Sequence, residues 1–441
     1  MRMTKQEILL AHQQCLFPSV FHYYREPLVL TRAKNQFVWD ADGNQYLDFF
    51  GGILTVSVGH CNDKVNRAVH QQVDKLQHVS TVFPTEPQAA LARKVSEIAP
   101  GRGWKSFFTC SGTEANETGI LAARCYTGST EIVALRHSYH GRSSLAMALS
   151  GQESWKLGPP QPGVVFAHNA YCYRCPFGLE YPSCEIRCAK DVKELIRTTT
   201  TGRIAGMIAE PIQGLGGFIT PPKEYFAIVA GIVREHGGVF ISDEVQTGWG
   251  RTGNKWWGIE QWGVPPDIIT SAKGMANGLP IGLTAARPEV ADGIKKLTIS
   301  TFGGGPIPTS AAKAVIDLIE EENLAANASE AGAYLRENLK GLKEKYPLIG
   351  DVRGMGLMQA LELVQDRDSK TPAAEEAARL MEAARENRLL IGKGGLYGNV
   401  IRISPPLNIT RADIDEFVRA LDRSFAQVCA HSRPGLSLPA R

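Results

Sequence analysis

The chain has 441 residues, too many for one simple hydrophobic core, so two or three lobes are expected. Its 48 basic and 45 acidic residues are well mixed and leave a formal charge of +3; with no basic tract or basic–aromatic interleaving, a nucleic-acid partner is set aside. Hydrophobic residues at 43% are ordinary for a globular enzyme, and no apolar run approaches the length of a membrane span, so no membrane partner is expected.

The start, Met1-Arg2-Met3-Thr4-Lys5-Gln6-Glu7, has neither the apolar core of a signal peptide nor the acid-free look of a transit peptide, which points to the cytoplasm. Residues 1–60 are read as an N-terminal segment: an amphipathic helix, an extended arm, and a hairpin over Phe37–Asp48 that turns at Asp42-Gly43. Glycine then punctuates Phe50-Gly51-Gly52-Ile53 and Val58-Gly59-His60, as in a loop approaching a ligand. Over residues 61–320 strands alternate with helical patterns, the signature of a large domain with a mostly parallel, helix-covered sheet. Helical stretches around 309–324 and 328–345 lead into a smaller α+β domain, residues 321–430. It holds a strand at Gly356–Glu362, another at Val400–Ile403, and helices near 372–388 and 410–430. The N-terminal hairpin is expected to join this domain. Residues 431–441, with two prolines and no periodicity, are expected to be a disordered tail. The fold class is therefore α/β with a second, smaller α+β domain.

Five of the nine cysteines are scattered (Cys15, Cys61, Cys110, Cys125 and Cys429), and four cluster in an insertion over 171–188 as Cys172-x2-Cys175-x8-Cys184-x3-Cys188. Two close pairs can ligate zinc, but the gap between them is shorter than in common ribbon sites. Zinc, disulfides and plain reduced thiols all remain open on spacing alone; reduced thiols without metal are the expectation. Proline and aromatic neighbours make the insertion a loop.

Four stretches carry chemistry. Lys105–Thr109 reads as a strand, and Ser111-Gly112-Thr113-Glu114-Ala115-Asn116 opens a helix after it, where free N–H groups and the helix dipole suit an anion. An ordinary capping box, with Ser111 capping and Glu114 reciprocating, explains the same residues. Ile132–Leu135 leads to Ser138-Tyr139-His140-Gly141, where an aromatic ring at a strand end can stack on a flat cofactor or simply pack. Gly237–Ile241 leads to Asp243, and Asp267–Thr270 leads to Lys273. Ligands of such sheets bind at the carboxyl ends of the strands, so the acid and the lysine are expected to face one pocket. That pair suits pyridoxal phosphate, whose aldehyde needs a lysine and whose ring nitrogen needs a carboxylate. A lysine after a strand is otherwise a solvated surface group.

The order Ser-Gly-Thr-Glu-Ala-Asn, Tyr-His-Gly, Ala209-Glu210-Pro211, Asp243-Glu244-Val245-Gln246-Thr247-Gly248, Lys273-Gly274 and Thr301-Phe302-Gly303-Gly304 resembles the class III aminotransferases over residues 30–425. Gly52–Cys61 and Val352–Met358 look most like the alanine–glyoxylate aminotransferase 2 branch. The resemblance implies a fold type I enzyme that binds pyridoxal 5'-phosphate and works as a homodimer. It implies that Lys273 bonds the cofactor's aldehyde and later carries the substrate's proton, and that Asp243 holds the ring nitrogen. Gln246 would bond the ring's phenolic oxygen, with Val245 and Tyr139 on the two ring faces. Ser111, Gly112 and Thr113 would hold the phosphate, joined by Thr301 of a second subunit. Arg402 would grip the substrate carboxylate, and Glu210 would neutralise that arginine when a donor brings no carboxylate there; a structural ion pair of the two is the plainer account. Where the family usually reads Gly-Gly-Asn-Pro this chain has Gly303-Gly304-Gly305-Pro306, and many members lack the cysteine insertion.

The expected activity is a ping-pong transamination from an amino acid or ω-amino donor to a small 2-oxo acid such as pyruvate or glyoxylate. A lyase or aminomutase on the same scaffold is the alternative, since fold does not fix function. A non-catalytic metal- or partner-binding protein built on the cysteine insertion is the alternative of another class.

Overall fold

The computed structural model describes residues 3–431, so the expected tail, apart from His431, lies outside the described residues. At the centre is a seven-stranded sheet in the order Lys105–Thr109, Gly282–Ala286, Ile268–Ser271, Val239–Asp243, Gly206–Ala209, Ile132–Leu135, Val164–Ala167. Neighbours run parallel except around Gly282–Ala286, which is antiparallel to both its partners. Ile132–Leu135, Val239–Asp243 and Ile268–Ser271 are buried along their whole length. Such near-continuous apolar runs belong to strands covered on both faces. All strands but Gly282–Ala286 run the same way, which brings the ends of six strands to one edge, where the chemistry-bearing loops begin.

Two smaller sheets flank it. The hairpin forms as expected between Phe37–Asp40 and Gln45–Asp48, with Gly43 at φ +83° in the turn. It recruits Leu30–Lys34 on one side and the C-terminal residues Leu389–Leu390 on the other. The second sheet is antiparallel, in the order Ile349–Met355, Met358–Leu363, Val400–Ile403, Gly392–Gly394. Its first strand was not expected, and Gly356-Leu357, read as strand, make the turn between the first two. The helices are Pro306–Glu321, Leu324–Lys345, Ala374–Glu386 and Arg411–His431, close to the expected ranges.

Two local expectations are corrected. The N-terminal helix Lys5–Cys15 buries none of its residues. Its apolar residues Ile8, Leu9, Leu10 and Ala11 are consecutive and so spread around the helix instead of forming a stripe, and one tie to the body is the Lys5–Asp42 ion pair at 2.7 Å. The glycine-rich stretch is not a loop but one left-handed helical turn, with φ of +58°, +56°, +65° and +57° at Gly51, Gly52, Ile53 and Leu54. Glycine takes this conformation freely, whereas for the β-branched Ile53 it is strained.

The cysteine insertion sits between Val164–Ala167 and the helix Arg187–Thr199, so Cys188 lies on that helix rather than in a loop. All four cysteines are free thiols and line one cavity of about 20 Å³ with Phe177, Leu179 and Tyr181. Burial pushes the Cys188 thiol up to about 12, and the neighbouring cysteines add to this. Among the described residues no three His, Cys, Asp or Glu side chains are placed to hold a metal ion, and no helix is long and apolar enough to cross a membrane.

A buried ionic network ties the insertion to the second sheet. Glu362, with a fully buried side chain, accepts hydrogen bonds from Tyr171 Oη, Arg174 Nε and Arg353 Nη1. Arg353 also reaches Asp351 at 2.8 Å and donates from Nε to the Gly217 carbonyl at 2.8 Å. Burial alone would raise the Glu362 carboxyl, but Arg353, Tyr171 and Arg174 outweigh it and hold the group below the usual range. Removing one partner of a buried pair strands the other, so Glu362→Gln should lower stability by about 3–5 kcal/mol in urea unfolding at pH 7. Because the folded carboxyl is the stronger acid, its contribution is complete above the ordinary value of 4.5. The gap between variant and wild type should therefore shrink as the pH falls through the folded value. A pH-independent gap would show that the charge of Glu362 is not the source.

Candidate active site

Asp243 closes its strand with 2% exposure. Its Oδ2 accepts from Asn116 Nδ2 at 2.8 Å and lies 2.7 Å from His140 Nδ1, while Oδ1 accepts from the Val245 N–H at 3.1 Å. Asn116 sits one turn into the helix Gly112–Thr127 and also accepts from Thr270 on the neighbouring strand. Neither Asn116 nor His140 was assigned a role from sequence, although both stand inside motifs already singled out. The clue was spacing: Asn116 follows Gly112 by four residues, so it lies on the same helix face.

Lys273 follows the next strand with φ +46° and opens a short 3-10 turn. The site strips its ammonium of water and holds it below the ordinary lysine range; Asp243 and Glu210 oppose that shift, and Arg402 adds to it. Glu210, 3% exposed, accepts from the N–H of Tyr139 at 2.9 Å and of Gly214 at 2.8 Å. Burial pushes its carboxyl up to about 7, with His140 pulling it down and Asp243 pushing it further up.

A cavity of about 140 Å³ brings together Gly112, Thr113, Tyr139, Glu210, Asp243, Val245, Gln246 and Lys273. A side chain at Gly112 would crowd Val245, because a Cβ there would lie 3.0 Å from Val245 Cγ2. Ser111 caps the helix by accepting from the Glu114 N–H at 3.3 Å. The reciprocal bond of a capping box is absent: the Glu114 carboxylate accepts from Cys110 instead, one residue too early. Ser111 therefore shapes the helix start without lining the cavity.

A second cavity of about 460 Å³ shares Tyr139, Gln246 and Lys273 with the first and reaches Phe21, Tyr23, Ile53, Trp155, Leu215 and Arg402. Arg402, 2% exposed, donates from Nε to the Lys393 carbonyl at 3.2 Å and from Nη2 to Tyr23 Oη at 3.3 Å. Its guanidinium also lies over the Phe50 ring at 5.1 Å. Glu210 and Arg402 do not pair, because the acid is already satisfied by backbone N–H groups. Thr301 is exposed on this single chain and lies outside both cavities.

The residues present fit a flat cofactor with an anionic tail. The buried Gln246 Oε1 has no hydrogen-bond partner and faces the smaller cavity. Asp243 Oδ1 carries only one short backbone bond, and the start of a sixteen-residue helix borders the same space. Pyridoxal phosphate supplies a phenolic hydroxyl and a protonated ring nitrogen, both able to donate, and a phosphate that accepts, which these groups complement.

Comparison with known proteins agrees. The family model for aminotransferase class III matches residues 21–425. A mitochondrial alanine–glyoxylate aminotransferase 2 homolog 2 from Arabidopsis thaliana is 43% identical over 422 residues, covering 96% of this chain and 87% of that protein. A leucine/methionine racemase from Thermococcus litoralis is 39% identical, covering 97% and 96%. Among solved structures, an (S)-enantioselective omega-transaminase from Thermomicrobium roseum superposes with a TM-score of 0.90 at 32% identity, covering 97% of this chain and all of that one. With the site geometry and a match over nearly the whole length, the chain belongs to the class III aminotransferases and is a pyridoxal-phosphate-dependent enzyme of fold type I.

Proposed function

We propose that this enzyme moves an amino group from an amino acid or ω-amino donor to a small 2-oxo acid, pyruvate or glyoxylate, in a ping-pong sequence. The observation that carries the reading is the pairing of cavities: Lys273 lines both the cavity holding Asp243 and the one holding Arg402. A carboxylate on Arg402 would leave the adjoining carbon facing the lysine.

Pyridoxal phosphate, when bound, supplies an aldehyde that takes up nitrogen and a ring that draws off electrons from the substrate carbon. Lys273 would bond that aldehyde and, once displaced, move the α-proton; its depressed basicity favours the free amine that a proton carrier needs. Asp243 would hold the ring nitrogen with a charge-assisted bond, about twice as strong as a neutral one. Its own orientation is set by Asn116 and His140. Gln246 would take the phenolic oxygen, Val245 and Tyr139 would enclose the ring, and Gly112 and Thr113 would hold the phosphate at the helix start that Ser111 caps. In a homodimer Thr301 would complete the phosphate site of the partner subunit. Glu210 would neutralise Arg402 for donors without a carboxylate only after releasing the N–H groups of Tyr139 and Gly214.

The Thermococcus litoralis relative gives a specific reason to keep a second reading, since a racemase would share these parts. The two differ in stoichiometry: a transaminase needs an oxo-acid acceptor and yields a new amino acid, whereas a racemase inverts one amino acid alone. A panel of amino donors against pyruvate, glyoxylate and 2-oxoglutarate, with chiral analysis of each donor, separates them.

Three variants test the assigned roles. Lys273→Ala should abolish turnover while the protein still retains cofactor through its phosphate site; near-normal transamination would remove the central assignment. Asp243→Asn keeps the shape but loses the charge, and should lower the catalytic rate by a factor on the order of 10² or more with little change in melting temperature. A rate within a few-fold of wild type would exclude this acid as the ring partner. Arg402→Lys keeps the charge but loses the planar fork. It should weaken reaction with pyruvate or glyoxylate by about 2–4 kcal/mol in transition-state terms, and spare the half-reaction of a long ω-amine. Single-turnover absorbance follows each half separately, and equal losses would place Arg402 in support of the fold or cofactor.

A further inference from the structure

The arginine that faces the substrate cavity has no carboxylate partner among the described residues. Its side-chain partners are instead a phenol and aromatic faces. Arg402 Nη2 donates to Tyr23 Oη at 3.3 Å, and the guanidinium lies 5.1 Å from the Phe50 ring centre and 5.8 Å from that of Phe218. Tyr23 belongs to the irregular stretch between the N-terminal helix and the first strand, over residues 16–29. Its ring stands edge-on to Phe50 at 5.6 Å, and Phe21 stands edge-on both to Tyr23 at 5.5 Å and to Trp155 at 6.3 Å. Trp155 in turn meets the Tyr139 ring at 5.2 Å. Phe21, Tyr23, Trp155 and Tyr139 all line the larger cavity.

The hydrogen-bond direction matters. An arginine has donors only, so Tyr23 Oη accepts from it and its own proton stays free. That proton finds no acceptor among the described residues. A guanidinium N–H and a phenolic O–H therefore stand side by side at one cavity wall, both able to donate. The ligand group that uses two adjacent donors is a carboxylate, which accepts on each oxygen.

We propose that Tyr23 is a specificity-determining residue: its phenol donates to the same substrate carboxylate that Arg402 grips, so the arm helps select amino and oxo acids over carboxylate-free amines. This rests on the assignment of Arg402 as the carboxylate's partner. Without a carboxylate the phenol keeps its contact with the arginine. The aromatic contacts to Phe50 and Phe21 hold the phenol in place and are independent of its hydroxyl.

Tyr23→Phe removes the hydroxyl and keeps those contacts. In single-turnover experiments on the holoenzyme, the half-saturation concentrations for alanine and for pyruvate should rise about tenfold or more, the loss of one hydrogen bond to a charged group. The limiting rate should stay within about twofold. Alaninamide, which has the same amine and no carboxylate, should bind within about twofold of wild type, measured as a substrate or as a competitive inhibitor. Unchanged half-saturation for both acids would overturn the proposal. So would an equal rise for alaninamide, which would place the effect in the shape of the cavity. Arg402→Lys measured in parallel separates the two levels. If it weakens both acids while Tyr23→Phe does not, only the phenol's role fails; if it leaves both acids unchanged, the assignment of Arg402 fails instead.

Discussion

The site is organised around a buried carboxylate that, among the described residues, has no lysine or arginine in ion-pair contact with it. Taking an isolated charge out of water is expensive unless hydrogen bonds compensate it. Asp243 is compensated by Asn116, His140 and the N–H of Val245, each from a different piece of chain. Those pieces are the helix after the first sheet strand, the loop after Ile132–Leu135, and the turn after its own strand. One acid thereby cross-links three strand-to-helix junctions at one edge of the sheet. Parallel running makes this possible, because it delivers successive strand ends to the same side.

The second organising contact joins the parts that must stay in register. Arg353, on the antiparallel sheet, bonds Glu362, and through the Gly217 carbonyl it holds the loop that begins at Glu210. Leu215 in that loop accepts from the N–H of Gly395, beside the strand pair that carries Arg402. The arginine facing the substrate cavity is therefore fixed to the central sheet by backbone bonds as well as by packing. The cysteine insertion enters the same network through Tyr171 and Arg174. That gives the insertion a structural role whatever its thiols do.

Much of this was legible in the sequence, for physical reasons that differ from residue to residue. Asp243 and Lys273 each end an apolar run between glycine and proline punctuation, so strand, strand end and pocket could be read in order. The hairpin was marked by Asp42-Gly43. Asn116 and His140 escaped because their function is a contact with Asp243, 127 and 103 residues away, which no local pattern records. The strand Ile349–Met355 escaped because Gly350, Arg353 and Gly354 interrupt its alternation. The pairing of Glu210 with Arg402 came from the family resemblance; backbone N–H groups, invisible in a list of side chains, take the acid instead.

The left-handed turn at Gly51–Leu54 bears on how this protein can change. Each non-glycine residue in that conformation carries roughly 1–2 kcal/mol of backbone strain, and Ile53 holds its strain while forming part of the substrate cavity wall. Folding stability and cavity shape are thus set against each other at a single position. Selection for heat resistance alone would favour glycine or asparagine at residue 53 and would reshape the cavity as a side effect. Selection for a new substrate would meet the opposite slope. Ile53 is where a thermostabilised descendant and a respecialised one would be expected to part first.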